Sequence, residues 1–122
     1  MDIEPPEVGA AWPLLVPQVG ADGNELAGIR LPHVAVPLGT YTGWNPRAAV
    51  VGAPDTMADL VGSYIPFSRL AISKRYRDKD DYVQRVTGTT GELVRQRFVL
   101  PDDAARIVSD AAWRWDQVGR VP

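Results

Sequence analysis

The stretch PDDAARIVSDAAWRWDQV, from Pro101 to Val118, carries the clearest structural signal in the chain. Its apolar residues recur at three- and four-residue spacing, which places them on one face of an α-helix: Ala104, Ile107, Val108, Ala111, Trp115 and Val118. Pro101 suits the first turn of a helix, where Asp102 and Asp103 complement the positive end of the dipole. The other face is polar and carries Arg106, Asp110, Arg114 and Gln117. The stretch therefore predicts an amphipathic helix.

Two tryptophans in this helix are predicted to have different surroundings. Trp113 and Trp115 are two residues apart, so their side chains point to different sides of a helix. We expect one of them in the core and the other against a neighbouring element or subunit.

Another helical pattern precedes this one, with Asp78 as its candidate N-cap. Asp80 and Asp81 suit its first turn, and an apolar stripe follows through Tyr82, Val83, Val86, Leu93, Val94 and Phe98. Residues 87–91, TGTTG, interrupt the stripe with poor helix formers, each glycine costing about 1 kcal/mol relative to alanine. The pattern leaves two interpretations, one long helix held by tertiary packing or two helices divided at this point.

Two shorter helices are predicted upstream. Residues 55–61 favour the first, with Met57, Leu60 and Val61 facing inward and Gly62 ending it. Pro66 suits the first turn of the second, PFSRLAISKRY, in which Phe67, Leu70 and Ile72 are apolar.

The N-terminal half is rich in turn formers, since nine of the 11 prolines and eight of the 11 glycines lie at or before Pro66. Residues 1–12 predict an extended arm that Trp12 anchors. Residues 14–19 and 25–31 predict a short β-hairpin around an Asp-Gly turn at 21–24. Residues 31–38 are expected to be extended, because each proline biases its neighbour away from helix.

These patterns predict a mainly helical α+β fold. A chain of 122 residues is close to the commonest domain size. We therefore expect a single domain over residues 1–122, with an irregular arm plus hairpin over 1–54 and three to five helices over 55–122.

Composition excludes several classes of function. The net charge of −2 argues against nucleic-acid binding, which requires a basic excess. No apolar run approaches the roughly 20 residues that span a bilayer, and the acidic, proline-broken start is not typical of a signal peptide. The sequence therefore predicts a cytoplasmic location, and the absence of cysteine is compatible with it.

Recognisable catalytic patterns are absent. None of the four serines lies in a G-x-S-x-G nucleophile elbow. The single histidine, His33, stands between two prolines and is interpreted as a surface or rim residue rather than a general base. Asp78, Asp80 and Asp81 lack the glycine and glutamate of a calcium loop. The sequence thus assigns no catalytic residue, no metal ligand and no cofactor.

The stretch LGTYTGWNPR, residues 38–47, offers the best candidate for binding. Aromatic rings, a fixed amide and a planar guanidinium are typical of binding hot spots and small-molecule pockets. The candidate ligand-binding residues are Tyr41, Thr42, Trp44, Asn45 and Arg47. The alternative is that the aromatic rings turn inward and only stiffen a loop.

Residues 20–47, GADGNELAGIRLPHVAVPLGTYTGWNPR, resemble the C-terminal part of a bacterial family of poorly characterised alpha/beta hydrolase domain proteins. The similarity continues through GAPDTMADLVGSYIPFSRL, KRYRDKDDYVQRV and FVLPDDAARIVSDAAWRWD, and so covers nearly the whole chain. This resemblance implies that the members of the family are longer proteins, in which the hydrolase core and its nucleophile precede the segment that matches this chain. If the TYTGWN segment contacts their substrate cleft, Tyr41, Thr42, Trp44 and Asn45 are inherited cleft residues.

The chain also departs from this family. His33 stands where an acidic residue is more usual, Pro46 replaces an aliphatic residue, and an insertion common after the IPF motif is missing. We expect the tail of such a protein to exist here as a small protein of its own.

Two functions follow from these expectations. The first is a non-catalytic domain that binds a small molecule or a protein, and that covers its apolar surface by forming a homo-oligomer. The alternative is an accessory or residual piece of an ester hydrolase, including a subunit that completes a separately encoded core.

Overall fold

A computed structural model describes residues 9, 13, 15–52, 56–58 and 62–118. The elements are, in chain order, α1 (Pro32–Ala35), β1 (Gly39–Thr42), a 3-10 turn (Ala49–Val51), β2 (Ser63–Pro66), α2 (Arg69–Arg75), α3 (Lys79–Arg95) and α4 (Pro101–Gln117). The predicted arm over 1–12, with Trp12, lies outside the described residues. The predicted fold class, mainly helical α+β, is confirmed.

The sheet consists of two antiparallel strands, β1 and β2. Tyr41 is opposite Tyr64, and Gly39 is opposite Pro66. A Cβ on Gly39 would lie 2.4 Å from the Tyr64 ring and 2.6 Å from the Ile65 carbonyl oxygen. Only glycine therefore fits where β1 crosses this ring.

The hairpin was predicted at the wrong place. Residues 14–19 and 25–31 do not form two strands in the described part of the chain; Val19 and Glu25 form a single antiparallel bridge. The Asp-Gly turn is present, and Gly23 has the positive φ of 76° that it requires. The chain reverses there, but side-chain contacts with β1 replace a longer ladder.

Asn24 makes those contacts. Its side chain is completely buried, donates to the Gly39 carbonyl oxygen at 3.1 Å and accepts from the Tyr41 N–H at 2.8 Å. The Thr40 hydroxyl donates to the Asp22 carbonyl oxygen. The turn thereby bonds to the edge of β1 that faces away from β2.

The predicted extended segment 31–38 contains a short helix instead. Pro32 stands in the first turn of α1, where a missing N–H costs nothing. Val34 and Ala35 donate to the Leu31 carbonyl oxygen at 2.9 Å. The Arg30 side chain donates to the Val34 carbonyl oxygen at 2.9 Å. Proline here starts a helix instead of preventing one.

Two other helix predictions need correction. Within 55–61, the described residues 56–58 are not helical, and Met57 bridges to Pro46; the rest of that range lies outside the described residues. Pro66 ends β2 rather than opening a helix. Helix α2 begins at Arg69, because the Ser68 hydroxyl caps it by accepting from the Ala71 N–H at 3.2 Å.

Helix α3 is continuous, which decides between the two interpretations of residues 87–91. Asp78 is its N-cap, as predicted, and accepts from the Asp81 N–H at 2.8 Å. The hydroxyls of Thr87 and Thr90 each donate to the carbonyl oxygen four residues earlier, at 2.8 Å. Local bonds and packing against α4 therefore carry the helix through the glycines.

The core lies where α3 and α4 pack on α1, α2 and the end of the segment before β1. Its buried members are Val36, Leu38, Ile72, Tyr76, Tyr82, Val86 and Ala111. Trp115 packs against this core and stacks on Tyr82 with ring centroids 5.2 Å apart, whereas Trp113 is 61% exposed. Trp115 is thus the tryptophan that packs on the core, whereas a contact of Trp113 with a neighbouring element or subunit stays a prediction.

Over the part of the chain that the structure describes, no helix combines the length and the apolar character needed to cross a membrane.

Candidate functional site

Three rings form a row on the surface, which we call the aromatic row: His33, Tyr41 and Tyr64. The ring centroids of His33 and Tyr41 are 5.0 Å apart, and those of Tyr41 and Tyr64 are 4.8 Å apart. Tyr41 and Tyr64 are directly opposite in the sheet, and cross-strand side chains at such positions are close neighbours. Helix α1 adds His33 to the end of the row.

Arg114 of α4 lies beside the row. Its Nε donates to the Asp110 carboxylate at 2.7 Å, one helical turn away. The hydrogen bond to Asp110 is the main cause that raises the pKa of Arg114, and the neighbouring Tyr41 has a smaller effect in the same direction. The Asp110 carboxylate therefore orients the guanidinium, while 44% of the Arg114 side chain remains exposed.

On the His33 side of the row is a cleft of about 260 Å³, cleft A. Its lining residues are Leu31, Pro32, His33, Tyr82, Val86, Arg106, Ile107, Asp110, Ala111 and Arg114. The floor consists of core residues, of which Val86 is only 1% exposed. Charged side chains of α4 form the rim.

On the Tyr64 side of the row is a second cleft of about 480 Å³, cleft B. It is lined by Tyr64, Pro66, Phe67, Ser68, Arg69, Trp113, Arg114, Gln117 and Val118. Arg114 belongs to both clefts, and the exposed Trp113 stands on the wall of cleft B.

Burial favours the neutral forms of two titrating groups in the row, His33 and Tyr41. Desolvation lowers the pKa of His33, and the Arg114 charge lowers it further against a smaller opposite effect of Asp110. Desolvation raises the pKa of Tyr41, and Tyr64 adds to this. Neutral rings can donate or accept hydrogen bonds, so the Arg114 guanidinium is the fixed positive charge beside the row.

The structure separates the five residues predicted to bind ligand. Tyr41 belongs to the aromatic row, and Thr42 pairs with Ser63 in the sheet. The Asn45 carboxamide oxygen accepts from the Ser63 hydroxyl at 2.9 Å. None of the five lines cleft A or cleft B, as far as the described residues go.

Trp44 and Arg47 complete this set. The Trp44 indole N–H is buried without a hydrogen-bond partner among the described residues. Arg47 is exposed, and its backbone N–H donates to the Thr56 carbonyl oxygen at 2.9 Å. A ligand-binding role for the five residues stays a prediction.

Sequence reasoning missed Arg114, Asp110 and Tyr64 as site residues. The first two were seen only as the polar face of a helix. Their spacing of four residues indicates an ion pair, but only the tertiary fold brings this pair close to Tyr41.

Several serine hydroxyls, which could in principle act as nucleophiles, take part in structural hydrogen bonds instead. The Ser63 hydroxyl bonds to Asn45, the Ser68 hydroxyl caps α2, and the Ser73 hydroxyl donates to the Leu70 carbonyl oxygen at 3.1 Å. Among the described residues, no three carboxylate, imidazole or thiol side chains lie where they could share a metal ion.

The structure thus combines a mainly helical α+β fold with two surface clefts on either side of the aromatic row. A sequence profile of the family described as "Alpha/beta hydrolase domain" matches residues 4–109. The chain therefore belongs to this family, and the resemblance seen in its sequence motifs is confirmed. No curated protein and no solved structure matches the chain.

Proposed function

We propose that this chain is a non-catalytic binding domain of the alpha/beta hydrolase domain family, and that it binds a second copy of itself through cleft B. The observation that carries the proposal is the exposure of Trp113, at 61%, on the wall of a cleft that Tyr64 and Phe67 also line. We call these three residues the aromatic face. Exposed tryptophan and tyrosine on a grooved surface are typical of protein interfaces.

Charge supports a second copy as the partner. The net charge of −2 produces little repulsion between identical chains. Arg69 and Arg114 lie in the cleft beside the rings, and arginine with aromatic residues is the combination enriched in interface cores. A two-fold arrangement would place Trp113 of each copy against the cleft of the other, which is the self-complementary form that most dimers take.

Sedimentation velocity over a range of micromolar concentrations tests this proposal. We expect the wild-type chain to sediment as a dimer and Trp113→Glu to sediment as a monomer, because a buried carboxylate at the centre of an interface is strongly unfavourable.

The matched control is Phe98→Glu. Phe98 is also an exposed aromatic residue, at 51%, but it lies before the start of α4, whereas Trp113 lies near the end of this helix and roughly 18 Å along its axis from Pro101. It should leave the dimer intact. A wild-type chain that is monomeric at every concentration, or equal loss of the dimer in both variants, would contradict the proposal.

The family match favours a second candidate, an accessory or residual piece of an ester hydrolase. It predicts that the chain co-purifies from its native host with a protein carrying a hydrolase core. A residual hydrolase would instead cleave p-nitrophenyl acetate as a purified chain and lose this activity when His33 or one serine is replaced. Neither result is expected if the chain acts only by binding.

A further inference from the structure

We infer that two copies of the chain pair their β2 strands edge to edge, in antiparallel orientation around Tyr64, and so form one continuous four-stranded sheet. This inference rests on the self-association proposed above and names the backbone contact that accompanies cleft B. It follows from the outer edge of β2, where the backbone N–H and C=O of Tyr64 have no partner strand among the described residues.

The hydrogen bonds of the sheet show where these two groups point. The Phe67 N–H donates to the Leu38 carbonyl oxygen at 2.9 Å, whereas the Tyr41 N–H donates to Asn24 and not to β2. Antiparallel strands alternate between hydrogen-bonded and non-hydrogen-bonded pairs. Tyr41 and Tyr64, which are opposite each other, therefore form a non-hydrogen-bonded pair, and the N–H and C=O of Tyr64 point away from β1.

The two outer edges of the sheet differ in their protection. Asn24 covers the edge of β1, whereas no described segment pairs with the edge of β2. Tyr64 and Ile65 are 49% and 61% exposed. Residues 62–68, GSYIPFS, carry no charged side chain, although charges are a common protection of open edges in monomeric proteins. The edge of β2 is therefore suited to accept a further strand.

A second copy of β2 is the strand that matches this edge. Because Tyr64 presents both a donor and an acceptor, two copies related by a two-fold axis at this residue can exchange both hydrogen bonds. In the same register, the Gly62 N–H of each copy faces the Pro66 carbonyl oxygen of the other. Pro66 has no N–H and can only accept here. An uncharged strand also meets its own copy without repulsion.

The edge of β2 is continuous with cleft B, since Tyr64 and Pro66 line that cleft. The pairing places the Tyr64 rings of the two copies side by side on one face of the sheet. It thereby extends the aromatic row across the two-fold axis, and aromatic pairs on neighbouring strands stabilise a sheet. Strand pairing and the aromatic face thus belong to one interface.

Introduced cysteines test the register, because the chain has no cysteine of its own. The pairing sets Ser63 opposite the second copy's Ile65, as a non-hydrogen-bonded pair with Cα atoms about 4.5 Å apart. This separation suits a disulfide. The variant Ser63→Cys/Ile65→Cys should therefore form a covalent dimer on oxidation with glutathione disulfide, which non-reducing electrophoresis measures.

The matched control is Ile65→Cys alone. The Ile65 positions of the two copies are diagonal neighbours, roughly 8 Å apart, which is too far for a disulfide. This variant should remain mainly monomeric on the same gel.

Hydrogen exchange in the wild-type chain gives a second measurement that needs no substitution. The Tyr64 amide should exchange more slowly as the concentration rises, by about tenfold when nine-tenths of the chains are paired, because only the unpaired chain exposes it. The Ile65 amide bonds to β1 within each chain, so its protection should depend much less on concentration.

The outcomes separate this inference from the proposed function. A dimer that Trp113→Glu dissociates, with no covalent link in the double variant and with Tyr64 exchange independent of concentration, would overturn strand pairing and leave cleft B standing. Protection of the Tyr64 amide at every concentration would also overturn it, since another part of the same chain would then cover the edge. A covalent link that persists in the Trp113→Glu background would support strand pairing and contradict the role of cleft B.

Discussion

At the scale of single residues, the Asn24 carboxamide bonds to β1 as a neighbouring strand would. It donates to one peptide group of β1 and accepts from the next peptide group on the same edge, from a completely buried position. This covers the outer edge of β1 and fixes the segment from which Tyr41 projects into the aromatic row. The DGN motif of the sequence thus has a structural role at the base of the candidate site.

We expect Asn24→Ala to lower the free energy of unfolding by about 2–4 kcal/mol, because it leaves the buried Gly39 carbonyl oxygen and the partly buried Tyr41 N–H without partners. Urea-induced unfolding measures this loss. The control is Gln96→Ala, which removes an exposed amide bonded to Glu92 and should change stability by less than about 0.5 kcal/mol. Equal effects of the two substitutions would show that Asn24 does not stabilise the sheet.

Residue-scale prediction from the sequence succeeded where the contact is local. Asp78 could be identified as an N-cap because its partner is the N–H of Asp81, three residues away. Asn24 could not be identified, because its partners Tyr41 and Gly39 are on a different element. The ion pair of Arg114 with Asp110 is local, but its place beside Tyr41 depends on the fold. Only the packing of the whole chain brings them together.

At the scale of elements, α3 holds its glycines by packing and not by propensity. A Cβ at Gly88 would have no atom within 4 Å outside the helix's own nearby backbone, so the residue is not needed for close packing. The sequence could not decide between one helix and two because helix propensity alone opposes the glycines, whereas burial of Val86, Thr90 and Leu93 favours the continuous helix.

We therefore expect Gly88→Ala to raise the free energy of unfolding by about 0.5–1 kcal/mol, since alanine loses less backbone entropy in a helix. Thermal unfolding followed by circular dichroism gives the change. A destabilised Gly88→Ala variant would contradict a continuous, unstrained α3.

The first turn of α3 predicts a dependence of stability on pH. Hydrogen bonds from the Arg85 side chain and the Arg77 backbone N–H lower the pKa of Asp81 below its ordinary value of 3.8. A carboxylate whose pKa is lowered by folding stabilises the protein above the unfolded-state pKa, and this contribution disappears as the pH falls through the folded-state pKa.

Unfolding measured from pH 6 down to pH 2 should therefore show a loss of stability below about pH 4 that is smaller in Asp81→Asn than in the wild-type chain. An identical pH profile in the two proteins would show that Asp81 does not contribute to the pH dependence of stability.

At the scale of elements, the roles predicted for two prolines were also wrong, because each was interpreted without its structural context. Pro32 starts α1 and Pro66 ends β2, although the sequence suggested an extended segment and a helix start. Proline only fixes φ and removes a donor. Whether that suits a helix or a strand depends on what the neighbouring residues pack against.

At the scale of the whole molecule, one side of the domain combines the aromatic row, cleft A and cleft B. The mainly helical fold, the amphipathic α4 and the family could be predicted from the sequence, because periodicity and long motifs are properties of continuous stretches. The two clefts could not, because each combines α4 with residues from distant parts of the chain.

The most direct measurement of the central claim, self-association through the aromatic face, is a dilution series of ¹H–¹⁵N spectra. We predict that dilution shifts the signals of Trp113, its indole N–H included, and of Tyr64 and Phe67, while Phe98 stays unchanged. Two results would contradict self-association through the aromatic face. One is a set of spectra that does not change with concentration and has the rotational correlation time of a monomer, and the other is chemical-shift changes confined to the turn between α3 and α4.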